Sequence, residues 1–135
     1  MMTLMRQFKD PVSGLTHQFG AVASAVGLVI LVRKGIAVGD ALAVAAFAVF
    51  GAGLLLLYAA SATYHLARVS ERAQLVLRKI DHIMIFVLIA STYTPVCAIT
   101  LRGRLGYSML ALVWGFAVAG AVLKLFFLNV PRWVY

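Results

Sequence analysis

The chain has 135 residues, of which 64% are hydrophobic and only 12% charged, whereas an average soluble domain is about half apolar and about a quarter charged. A water-soluble globule of this length still exposes much of its surface, so apolar material on this scale must face lipid or neighbouring spans, and an ordinary soluble domain is excluded. The net charge of +8 lies almost wholly between the apolar runs rather than over one water-facing surface, which argues against nucleic acid as a partner and for juxtamembrane anchors.

In chain order, a polar segment with Arg6, Lys9 and Asp10-Pro11 leads into an apolar run from about Leu15 to Val32 that meets Arg33-Lys34. A membrane helix needs roughly 20 apolar residues to cross about 30 Å of hydrocarbon. The run is too long for the apolar core of a signal peptide and its basic pair follows it, so it reads as a retained first span. The second span, about Ala41 to Leu66, contains no charged residue. A loop from Ala67 to Lys79 should return the chain to a third span beginning near Ile80 and ending near Leu101, and a fourth covers about Leu105 to Leu123. The ending after Lys124 reads as a loop and the opening of a further span. The predicted fold is therefore an all-α, polytopic transmembrane helix bundle forming a single domain.

Small residues recur through these spans, as at Gly20, Ala23, Ser24 and Gly27, and again at Gly51, Gly53, Ala59, Ala60 and Ala62. In lipid, helices associate through close backbone approach, so such faces suit a packed bundle. Cys97, the single cysteine, lies in an apolar run and reads as a small packing residue. Pro95 cannot donate to the carbonyl of Ser91, so the third span should kink there or be repaired by Ser91 or Thr92. One set of loops holds Arg6, Lys9, Arg68, Arg72, Arg78, Lys79, Lys124 and Arg132, and the other holds Arg33, Lys34, Arg102 and Arg104. Short basic loops are retained inside, so the N-terminus should be cytoplasmic and the localisation a multi-pass cell-membrane protein.

Ionisable groups within a bilayer are expensive and mark chemistry. His17, His65, Asp81 and His82 all fall near the cytoplasmic ends of their spans. Ser61 and His65, four apart, share one face of the second helix. A neutral imidazole suits zinc, with a carboxylate behind its other nitrogen. Spacing alone favours the plainer reading: interfacial histidines, and an Asp81 that serves the helix dipole or pairs with Arg78. One histidine and one aspartate are too few for a zinc site, which usually takes four ligands or three plus water.

The segments Asp10-Pro11-Val12-Ser13-Gly14-Leu15-Thr16-His17, Ser61-Ala62-Thr63-Tyr64-His65, Arg78-Lys79-Ile80-Asp81-His82 and Tyr93-Thr94-Pro95 resemble the hemolysin III family, the bacterial branch of the progestin and adipoQ receptor superfamily. The resemblance implies a seven-span bundle with a cytoplasmic N-terminus and a zinc ion near the cytoplasmic side. It implies His65 as a zinc ligand, Asp81 as the residue that holds or activates the zinc-bound water, and Ser61 as a support. Glu and Asn are common in the family where this chain has Asp10 and Ser13. The family's other two zinc histidines form a His-x-x-x-His pair on its last span, and no histidine follows His82 here, so four spans of a probable seven and an incomplete zinc site are expected. The resulting reading is a zinc-dependent hydrolase acting on a membrane lipid amide or ester. The alternatives are a cytolytic pore, disfavoured because mid-span positions are small or apolar, and a non-catalytic membrane receptor. His65 and Asp81 should be the closest pair, beside a groove lined by Ser61, His65 and Asp81.

Overall fold

In the computed structural model, which describes residues 10–126, four helices follow one another: α1 (Pro11–Val38), α2 (Ala41–Leu66), α3 (Glu71–Pro95) and α4 (Arg104–Phe126). Each is long and apolar enough to cross a membrane. Neighbours in sequence are neighbours in space, because connections of a few residues force consecutive helices to pack antiparallel. The loop and the opening of a further span expected after Lys124 lie, beyond Phe126, outside the described residues.

The helices outrun the apolar runs because their ends are capped. Asp10 accepts a hydrogen bond from the Ser13 N–H (3.3 Å), and Pro11 occupies the first turn of α1, where a missing N–H costs nothing. Gly39, at φ 71°, supplies the left-handed residue that closes α1, so the helix continues past Arg33-Lys34 to Val38. Asp40 caps α2 through the Leu42 N–H (2.9 Å). The largest departure from expectation is at α3, which starts at Glu71 rather than Ile80. Ser70 is its N-cap and Glu71 its first-turn acid, and the connection shrinks from Ala67–Lys79 to residues 67–70. A hydropathy reading ends where charge begins, whereas a helix ends where its backbone groups find other partners.

The interior is built from small side chains. Ala43, Ala46, Ala62, Ala90, Cys97, Ala98 and Ala117 are buried together with Ser24, Ser61, Ser91 and Thr94. Large apolar groups point outward, Phe19 and Phe116 being 77% and 74% exposed. This inverts a soluble core: lipid solvates the large side chains, and dispersion between closely approaching backbones holds the helices. Gly53 shows how close that is, since a Cβ there would stand 2.1 Å from the Ser91 Oγ.

Pro95 is absorbed without ending the span. A π-turn over Val96–Thr100 follows it, closed by the Leu101 N–H to the Val96 carbonyl at 3.0 Å. The Ser91 and Thr92 hydroxyls both donate to the Leu88 carbonyl, so neither repairs the Ser91 carbonyl in the way the sequence suggested. Thr94 donates to Ala90 O (2.9 Å) and accepts from Trp114 Nε1 (3.2 Å), tying α4 to α3. Cys97 is fully buried, as its packing role requires.

Candidate functional site at the end of the bundle

The N-terminus of α1 meets the C-terminus of α2 through Asp10. Its backbone N–H donates to the His65 carbonyl at 3.1 Å, and its Oδ2 lies 3.5 Å from His65 Nδ1. The Ser13 hydroxyl and backbone N–H hold the Asp10 carboxyl below the usual range, against the cost of desolvating its charge, with a smaller contribution from His65 and His17. Asp10 is therefore ionised at neutral pH and can only accept, so a neutral His65 turns Nδ1–H toward it and keeps its lone pair on Nε2.

His17 comes in from α1. Its ring centroid is 5.6 Å from that of His65 in an edge-on arrangement and 5.9 Å from that of Tyr58. Among the described residues, its buried Nδ1 has no hydrogen-bond partner. The helices reach this distance because Gly20 leaves room for Tyr58: a Cβ on Gly20 would sit 2.7 Å from that ring. Ser61 is buried one turn from His65. His82 is accounted for locally, with Nδ1 2.7 Å from the Arg78 carbonyl.

Because α3 begins at Glu71, Asp81 is nearly three turns into the helix rather than at its start. Gln74 Nε2 donates to the Tyr64 carbonyl (3.2 Å), while Ser91 packs on Gly53. Among the described residues, His65 is paired with Asp10, and Asp81 has no ion pair. The carboxylate within ion-pair distance of His65 among the described residues is thus that of Asp10, a partner the sequence reading did not assign to it. The groove at this end, between α2 and α3, is lined by Tyr64, Arg68 and Arg78 among others and by none of the expected trio.

Asp10 is the residue that sequence reasoning passed over. Its cap was legible in Asp10-Pro11 with Ser13 behind it, but its partner lies on another helix. No three His, Cys, Asp or Glu side chains among the described residues converge closely enough to hold a metal ion by themselves.

Four long apolar helices with small-residue interfaces, three of them capped at the N-terminus by a side chain, define a polytopic α-helical membrane protein. The chain belongs to the haemolysin-III-related family, whose model matches residues 5–135. It is 40% identical over 130 residues to Hemolysin-3 of Bacillus cereus, covering 95% of this chain and 59% of that protein. It is 38% identical over 117 residues to the Hemolysin-3 homolog of Bacillus subtilis (strain 168), covering 87% and 54% respectively. The chain thus spans somewhat over half the length of these relatives. No solved structure matches it.

Proposed function

We propose that this chain contributes part of a zinc-dependent site, at the cytoplasmic end of its bundle, that hydrolyses an amide or ester of a membrane lipid. The observation that carries this reading is the Asp10 carboxylate 3.5 Å from His65 Nδ1. A carboxylate behind one imidazole nitrogen is the usual support for a metal on the other. The orphaned His17 Nδ1 adds a buried polar atom that a ligand or ordered water would satisfy. The described residues fit one corner of such a site, with His65 as the zinc ligand. Its remaining ligands belong, in this proposal, to the part of the relatives' length that this chain does not span.

Bound zinc lowers the pKa of its water and polarises a carbonyl. In such a site this chain's residues would do the rest: Asp10 would orient His65, Asp81 would accept a proton from the attacking water, and Ser61 would support the site by hydrogen bonding. The cytoplasmic orientation rests on the loop charges, with eight cations on one side and four on the other.

Metal analysis of the full-length protein tests the reading. Stoichiometric zinc that is lost in His65→Ala is expected, together with Asp81→Asn protein that keeps zinc and loses hydrolysis of a lipid amide or ester. Zinc that persists in His65→Ala overturns the ligand assignment. Dye leakage from liposomes that is indifferent to chelator and to Asp81→Asn would favour the pore implied by the relatives' names.

A further inference from the structure

His17 follows Asp10 by seven residues, about two helical turns, so the face of α1 that presents Asp10 to His65 presents His17 as well. Glycines three residues to either side of His17 press that face against α2. A Cβ at Gly14 would stand 2.3 Å from Leu66 Cδ2, and one at Gly20 would stand 2.7 Å from the Tyr58 ring. The imidazole is thereby held between Tyr58 and His65, which with Ser61 recur on one face of α2.

Of the three histidines in the chain, His17 is the one whose Nδ1 is left over. That of His65 lies 3.5 Å from the Asp10 carboxylate, and that of His82 lies 2.7 Å from the Arg78 carbonyl. The His17 Nδ1 is buried and, among the described residues, has no hydrogen-bond partner. Such an atom is costly in any protein and more so within a membrane, where water is not at hand to satisfy it. The ring spacing points to what would. Two imidazoles bound at about 2.0–2.1 Å to one tetrahedral ion have their ring centres roughly 5–6 Å apart, and the centres of His17 and His65 are 5.6 Å apart. An edge contact between the rings accounts for the spacing but leaves Nδ1 unmatched, whereas a shared metal ion accounts for both. Because His65 turns Nδ1–H toward Asp10, its Nε2 lone pair is free, and a neutral His17 can offer the lone pair of Nδ1 beside it.

We infer, on the zinc reading above, that His17 is a second ligand from this chain to the same ion through Nδ1, and so takes for α1 one of the ligand places left there to the length this chain does not span. The ion would then join the start of α1 to the end of α2, next to the contact that Asp10 already makes with His65.

The test titrates the full-length protein in detergent with zinc against a chelator of known affinity. Replacing a residue that only supports a ligand costs about 10–100-fold in metal affinity, so His17→Gln should cost more than about a hundredfold. His17→Cys keeps a side chain that can bind the metal. Loaded with cobalt in place of zinc, it should show a thiolate-to-cobalt charge-transfer band that the parent protein lacks, a signature that only a side chain bonded to the ion can give. Chelation should lower Tm in the wild type and lower it less in His17→Gln, because the link between α1 and α2 is already lost there. Zinc lost in His65→Ala but bound with undiminished affinity in His17→Gln would overturn this inference and leave the zinc reading standing, as would cobalt-loaded His17→Cys without the band. Zinc that persists in both His17→Gln and His65→Ala would overturn the two together.

Discussion

Asp10 does two jobs, and substitutions separate them. Asparagine caps a helix about as well as aspartate but carries no charge toward His65. Asp10→Asn should therefore keep most of the thermal stability, while Asp10→Ala should lower Tm further by losing the cap as well. The same residue gives a pH dependence whose sign is fixed. Its folded pKa is lowered from 3.8 by Ser13, opposed by desolvation and aided by the histidines. The stability it contributes is fully present above that value and is lost as pH falls through the lower folded value. A Tm profile in detergent from pH 6 to pH 3 should fall less steeply at its acid end in Asp10→Asn than in the wild type. Asp40 behaves alike at the other end of the bundle. Desolvation opposes its ionisation, but the Leu42 and Ala43 N–H groups and Arg102 outweigh that and lower its pKa. It caps α2 and pairs with Arg102 across the α1–α2 and α3–α4 connections.

Between elements, glycine is used where backbones must approach, and the effect is specific to position. Gly53→Ala would drive a Cβ to 2.1 Å from Ser91 Oγ and should cost on the order of 1–3 kcal/mol by overpacking. Gly115→Ala meets nothing within 4 Å and should be neutral or slightly stabilising, since alanine is the better helix former. Denaturation of the two variants in the same detergent checks the contrast. Trp114→Phe removes the hydrogen bond to Thr94, and its cost should be about 1 kcal/mol or less, the usual worth of a polar contact between membrane helices. A loss of several kcal/mol there would mean that the π-turn below Thr94 depends on Trp114.

For the whole molecule, the proposed orientation predicts labelling sidedness. On a Cys97→Ser background, Val69→Cys in the α2–α3 turn should react with an impermeant maleimide only from the cytoplasmic side. Gly103→Cys, at the opposite end, should react only from outside. The reverse pattern would move the histidine cluster to the outer face and end the cytoplasmic assignment. Under the proposed orientation, Asp10, His17, Ser61 and His65 share one end of the bundle, so the proposed hydrolysis would face the cytoplasm.

Composition and periodicity were enough to determine four membrane helices, their antiparallel order, small-residue interfaces and the common depth of His17 and His65. All follow from the bilayer as solvent and from short connections. The resemblance added the family and singled out Ser61, His65 and Asp81. Only the tertiary structure decided that His65 faces Asp10, because a cap is a local property while its neighbour on another helix depends on how two helices cross. It also decided that α3 starts at Glu71, since Ser70 can end a loop where hydropathy shows only charge. That early start puts Asp81 nearly three turns into α3, so the first-turn acid that the helix dipole favours is Glu71 and not Asp81.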